Sequence, residues 1–378
     1  MSSAFDPTNV DLTTADPTAV VCFIEAGANE YNGHLDARIS ALFVILIVST
    51  LATFFPVVAA RVKWVRVPIY AYLFARYFGA GVIIATAFVH LLDPAYGEIG
   101  PNTCVGMTGN WGVYSWPPAI VLVSVMLIFL LDFLAERYVD YKYGFVNDKP
   151  NVEAIITDQP GNSEGAAPAI PSQQHPDDQL ESAEQAPKEK PTAKGFNNYD
   201  LENYSVKEVA DAEERSFQQQ IAAFLILEFG VIFHSVIIGL NLGVAGEEFS
   251  TLYPVLVFHQ SFEGLGIGAR MSAIPVSKRL SWLPWFLCVA YGLTTPISIA
   301  IGLGLRTTYN SGSFTAQVVS GVLDSISAGI LIYTGLVELL ARDFLFNPEL
   351  TRNSRRLTFM VVCVFVGAGV MALLGKWA

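Results

Sequence analysis

The stretch HSVIIGLNLG, residues 234–243, decides how this chain is read. It sits in an apolar run long enough to cross a bilayer, yet it opens on a histidine. The next apolar run carries HQSFEGLGIG, residues 259–268, with a second histidine and a glutamate. Ionisable side chains are costly inside a membrane, where they face the interior of a helix bundle and by default mark a functional site.

Composition supports the membrane reading. Of 378 residues, 52% are hydrophobic and only 15% charged, against about 25% charged in an ordinary soluble domain; the mean hydropathy is +0.44. The formal charge of −12 comes mainly from segments outside the apolar runs. It describes loops and tails, not a surface for nucleic acid.

A helix needs about 17–25 apolar residues to span a bilayer. Eight runs qualify, near 37–60, 69–92, 118–135, 220–245, 251–272, 283–305, 316–341 and 357–374. Backbone groups in lipid must be satisfied within the segment, so runs of this length are helices. The expected fold class is all-α, a polytopic integral membrane protein with eight transmembrane helices in a bundle. The chain then divides into an extracellular tail (1–36), spans one to three (37–139), an acidic cytosolic loop (140–215) and spans four to eight (216–378).

Lys and Arg set the orientation. With both termini outside, the short inner loops hold Arg61, Lys63, Arg66, Lys278, Arg279, Arg342, Arg352, Arg355 and Arg356, against Arg38, Arg306 and Lys376 outside; cations concentrate on the cytoplasmic side. The run AVVCFIEAG (19–27) is too short for a signal peptide, so the first span is the expected targeting signal. Residues 140–214 hold seven prolines and sixteen acidic residues, the composition of a disordered loop. Cys288 and Cys363 fall in apolar runs as small buried hydrophobes. Cys22 and Cys104 both fall on the outer face, where oxidising conditions permit a disulfide.

The ionisable candidates within spans are His90, Asp132, Glu228, His234, His259, Glu263 and Glu338. His259 and Glu263 are four apart, on one helix face. His234 lies on the preceding span, which a short turn folds antiparallel against it. Two imidazoles and a carboxylate at one depth suit Zn²⁺ or Fe²⁺. The plainer alternative is a pair of packed, hydrogen-bonded histidines that lock two spans together. Gly239 with Gly243, and Gly264 with Gly268, are small-xxx-small pairs for close helix packing.

HSVIIGLNLG and HQSFEGLGIG together resemble the signature of the ZIP family, the Zrt- and Irt-like divalent metal transporters. The resemblance extends to ATAFVHLL (85–92), an acidic third span and a variable loop between spans three and four. EYNGHLDARISALFVILIVST (30–50) is similar to the fungal plasma-membrane branch. It implies that His234, His259 and Glu263 are primary metal ligands, with Ser235 and Gln260 at second-metal positions where some relatives carry the stronger ligands Asn and Asp. It implies a path past His90 and Asp93 at the outer mouth, a selectivity role for Asp132, and release near Glu228. In HLLDPAY (90–96) the aspartate precedes the proline, whereas related members have the proline first. The central loop, often histidine-rich in the family, holds only His175 here.

The function implied is uptake of a divalent metal, Zn²⁺ first, with Fe²⁺ or Mn²⁺ as alternatives, by alternating access across the plasma membrane. A three-ligand shell completed by water can select and still release. The acidic tail (Asp6, Asp11, Asp16, Glu25, Glu30) favours cations at the mouth. No resident cofactor is needed, because the metal is cargo. Partners are the metal ion and the bilayer, with a homodimer and cytosolic regulators at the central loop left open, and no nucleic acid. The resemblance also implies an inverted repeat of spans one to three and six to eight. Two other classes compete. An intramembrane metallohydrolase needs a base beside a metal-bound water, and there is no HExxH; a receptor needs no ligands in the membrane.

Overall fold

The computed structural model describes residues 14–27, 31–62, 67–143, 198–274, 276, 278–346 and 353–377. Asp6, Asp11, Glu30, Lys63, Arg66, His175, Arg352 and most of the central loop lie outside the described residues. The chain divides into two units, 1–139 with 213–378, and 140–212. In the second unit the description covers 140–143 and the helical stretch from Asn198.

Among the described residues of the first unit, the regular structure is helical throughout. The elements are α1 (Pro17–Glu25), α2 (Leu35–Arg61), α3 (Ile69–Ala85), α4 (Asp93–Ile99), α5 (Trp116–Tyr143), α6 (Asn198–Val244), α7 (Phe249–Ala273), α8 (Leu283–Leu305), α9 (Phe314–Tyr333) and α10 (Ser354–Leu374). A π-helical turn, Thr86–Leu92, joins α3 to α4, and a second, Thr334–Leu345, extends α9. Local chemistry starts several of them. Asp16 caps α1 by accepting from Thr18 N–H with Pro17 in the first turn, and Asn353 caps α10 by accepting from Arg355 and Arg356, each satisfying an orphan backbone donor.

Among the described residues, seven helical segments are long and apolar enough to cross a membrane: Leu35–Arg61, Ile69–Ile99, Trp116–Val139, Phe217–Val244, Leu283–Leu305, Phe314–Leu345 and Ser354–Leu374. The eighth expected span is α7. It has the length, 25 residues, but His259, Gln260, Glu263 and Arg270 keep it below the others in hydropathy. Burial explains the tolerance, since all of these but Arg270 are shielded by neighbouring helices. At the other extreme, 11% of the most apolar window of α5 is buried, against 67% for Ile69–Ile99, so α5 is the least buried of these segments. Helix α6 runs back to Asn198, into the stretch assigned above to the loop.

Glycines bring the central helices together. The pair on α7 packs on α2: a Cβ at Gly268 would stand 2.1 Å from the Thr53 carbonyl oxygen. The pair on α6 packs on α8, where a Cβ at Gly243 would stand 2.8 Å from Gly302 Cα. Each ligand-bearing helix is therefore held by a different neighbour. A buried core of Phe224, Leu227, Ile267, Met271 and Leu331 fills the space between them.

One face of the unit gathers the α1 tail, the α4–α5 connection and the α8–α9 turn. A Cys22–Cys104 disulfide ties tail to connection, Cys104 N–H donates to Glu25 at 2.7 Å, and Asn310 Nδ2 donates to the carbonyls of Ala26 and Gly27. On the same face Arg38, fully buried, donates to the carbonyls that end α6, Leu242, Gly243 and Ala245. A cation at a helix C-terminus satisfies orphan acceptors and complements the dipole.

Candidate metal centre

His234 comes from the last quarter of α6, and His259 with Glu263 from successive turns of α7. All three are buried, with 1%, 1% and 0% of their surface exposed. His259 Nε2 is the hub: it lies 3.3 Å from His234 Nε2 and 3.2 Å from Glu263 Oε1. One donor atom from each residue falls within 4.8 Å of the others. Two Zn–N bonds of about 2.0–2.1 Å at a tetrahedral angle place their nitrogens about 3.3–3.4 Å apart. The spacing therefore matches two ligands on one ion.

The same distance also serves an N–H···N hydrogen bond between neutral rings. The remaining atoms argue for a cation. Apart from the approaches of His259 and the Thr86 hydroxyl, the buried carboxylate of Glu263 has no hydrogen-bond partner, and His234 Nδ1 has none. A buried carboxylate so poorly served is expensive unless a positive charge joins it.

The other candidates divide. The His90 ring packs edge-on against His259 with centroids 4.8 Å apart, and its Nε2 meets the Met371 carbonyl of α10 at 3.2 Å. Ser235 is buried beside His234 with its hydroxyl unpartnered. Gln260 is engaged on both sides, accepting from Tyr291 at 2.8 Å and donating to Thr295, contacts that tie α7 to α8. Glu228, 4% exposed, holds both oxygens without partners, six residues and about 9 Å along α6 from His234. Asp93 is exposed at the start of α4. Asp132 is remote, in a lattice at the opposite end: it accepts from Tyr333 at 2.9 Å and lies 3.6 Å from Arg342. Arg342 reaches Glu338 at 3.1 Å, Arg270 approaches Glu338 at 3.6 Å, and Arg76 pairs with Asp343 at 2.7 Å.

A cavity of about 310 Å³ leads from His234, His259 and His90 past Asn241, Glu98 and Asp324 to Glu248 and Ser311, which are exposed on the disulfide face. Glu98 and Asp324 are not among the residues singled out from the sequence. Asp324 was as visible as Glu338, an acid inside an apolar run; Glu98 lay in what read as a loop, which the structure shows to be the last turns of α4.

The two π turns repeat one another. TAFVHLL (86–92) and TGLVELL (334–340) share the threonine, the valine and both leucines. Each threonine hydroxyl donates to the carbonyl four residues back, Val82 at 3.1 Å and Ile330 at 2.9 Å. The turns lie in spans of opposite direction, with His90 in one where Glu338 stands in the other. Such π turns recur at functional sites.

With this geometry in place, comparison with known proteins is decisive. The family described as ZIP Zinc transporter matches residues 35–375. The chain belongs to the ZIP zinc transporter family. Zinc-regulated transporter 1 of Saccharomyces cerevisiae is 55% identical over 99% of this chain and 97% of its own length. Zinc-regulated transporter 1 of Schizosaccharomyces pombe is 44% identical over 93% and 88%. Zinc-regulated transporter 2 of S. cerevisiae is 36% identical over 98% and 100%. No solved structure matches the chain. ZIP membership makes this a transporter of metal embedded in a membrane, not the hydrolase weighed above, and the zinc is cargo rather than a cofactor.

Proposed function

We propose that the chain carries Zn²⁺ across the plasma membrane into the cytosol, with His234, His259 and Glu263 as the transport site. The observation that supports this most is the convergence of one imidazole from α6 with an imidazole and a carboxylate from α7 at the floor of an open cavity. Three ligands leave the remaining positions to water, so the ion is bound and still exchangeable. The zinc-regulated relatives support Zn²⁺ over Fe²⁺ and Mn²⁺ as cargo.

Both termini lie outside in this reading. The Cys22–Cys104 disulfide supports it, because such bonds persist in oxidising surroundings, and so does the Lys and Arg asymmetry. The cavity then faces outward, and the lattice of Arg270, Glu338, Arg342 and Asp132 closes the cytosolic side. Release requires that lattice to part, with Glu228 between site and exit. His90 shapes the approach to the site from above. Ser235 borders the site, and Gln260 positions α7 through Tyr291 and Thr295. Asp93 and Asp132 serve the mouth and the inner gate. The acidic segment between α5 and α6 lies in the cytosol, outside the transport step. A second copy of the chain and cytosolic regulators of that loop complete the set of partners.

Competing uptake of radioactive Zn²⁺, Fe²⁺ and Mn²⁺ into cells expressing the chain, beside empty-vector cells, tests the reading. Saturable Zn²⁺ uptake that excess Fe²⁺ and Mn²⁺ barely displace is the expected result. Preferential accumulation of either competitor would overturn the choice of cargo.

A further inference from the structure

The cavity above the His234–His259–Glu263 trio holds carboxylates that the transport site does not use. Helix α4 packs against α9 at Gly321, where an added Cβ would stand 3.2 Å from Glu98 Cβ. Gly321 stands one turn before Asp324 on α9, and the Glu98 carboxylate acts electrostatically on that of Asp324. Asp324 is 4% exposed and its Oδ1 has no hydrogen-bond partner; Glu98 Oε2 is likewise buried and unpartnered. Both line the cavity, together with Asn241 from α6, and its lining contains no Lys or Arg. Two neighbouring acids in a low-dielectric wall repel one another and lack hydration. Among the described residues that line the cavity, none supplies a cation to relieve them.

We propose that Glu98 and Asp324 form a second divalent-cation site, an oxygen-only waypoint that takes a partly hydrated ion from the vestibule before it reaches the trio. Asn241 lies seven residues beyond His234, two helical turns or about 10 Å along α6, and carries an amide oxygen in the lining of the same cavity. Carboxylate and carbonyl oxygens suit hard, water-retaining ions and discriminate less than a set with imidazoles. Capture at the waypoint is therefore coarse, and selection falls to the nitrogen ligands below. Two carboxylates without imidazole hold Zn²⁺ more weakly than the trio does, so the ion can move on.

The proposal rests on the trio being the transport site, and its test keeps the two apart. Full-length protein purified in detergent is titrated with Zn²⁺ alone by calorimetry, and uptake is measured per molecule at the cell surface. Wild type should show two classes of Zn²⁺ site. Glu98→Gln and Asp324→Asn should each lose the weaker class, raise KM about tenfold, equivalent to about 1.4 kcal/mol, and leave the maximum rate within about twofold. Asp324→Glu, which keeps the charge, should restore KM toward wild type and so separates charge from folding. His259→Ala should lose the tighter class and keep the weaker. Unchanged stoichiometry with unchanged KM in both neutral variants overturns the waypoint. So does unchanged stoichiometry with an altered pH profile, which would make the acids a proton site. If His259→Ala keeps the tighter class, the trio assignment fails, whatever the two acids do.

Discussion

Arg38 Nη1 lies 3.1 Å from the carbonyl oxygen of Leu242, so a residue in the first turn of α2 closes the end of the helix that carries His234. The same guanidinium lies over the Phe249 ring, 4.5 Å from its centre, and thus reaches the start of α7 as well. One side chain fixes the relative position of both ligand-bearing helices. Arg38→Ala should leave buried carbonyls unsatisfied and lower stability by about 1–3 kcal/mol. Arg38→Lys keeps the charge but loses the fork, and should fall between. Thermal melts of purified protein check this, and an alanine variant that melts like wild type would refute it.

The trio is tested by ligand type. His234→Ala, His259→Ala and Glu263→Ala should each cut uptake per surface molecule by more than about tenfold, since even outer partners of metal ligands change affinity ~10–100-fold. Ser235→Ala should be milder. Glu263→Asp keeps the charge and should retain more transport than Glu263→Gln, which keeps the size. Stabilisation by Zn²⁺, which follows from binding the folded state alone, should vanish in parallel. Variants that reach the surface, transport normally and still gain stability from Zn²⁺ would reduce these residues to packing.

Close approach of α7 to α2 predicts a contrast between two glycines. Gly268→Ala sets a methyl against the Thr53 carbonyl and should destabilise by about 1–3 kcal/mol, the usual cost of overpacking. Gly369→Ala meets nothing within 4 Å and should be neutral or gain up to about 1 kcal/mol of helix propensity. Melting temperatures in the same detergent decide between them. Equal effects would mean that the α2–α7 contact can relax.

The disulfide closes a separation of 82 residues. Cys22→Ser, Cys104→Ser and the double variant should each lose about 2–4 kcal/mol, and the double should cost no more than either single. Mass spectrometry of non-reduced peptides reads the bond directly. Two free thiols in surface protein would remove it from the account.

Much of this was legible because its physics is local. Span length follows from apolar runs, and the i, i+4 spacing of His259 and Glu263 puts them on one face before any partner is known. What stayed hidden depends on neighbours. The small-residue pairs are visible on α6 and α7, but nothing in them names α8 and α2 as the surfaces they meet. Nothing local to Gln260 names Tyr291 and Thr295, some thirty residues later, as the partners of its amide. Glu98 became a wall of the cavity only because the helix continues beyond Pro94. The π turns carry no composition signal of their own, and show only when TAFVHLL is laid against TGLVELL.

Helix α7 has a consequence for how the protein is made. Its 25 residues hold four strongly polar side chains, and it falls short of the apolarity of the other seven spans. Released singly from the insertion machinery, it would favour water or the interface over the bilayer core, where each charged residue costs about 2.5–3.5 kcal/mol. It must enter in company, shielded first by α2 and α6, which precede it in synthesis, and then by α8. The order of spans along the chain is thus also an order of chaperoning, in which the helix that carries the cargo is delivered by helices already in the lipid.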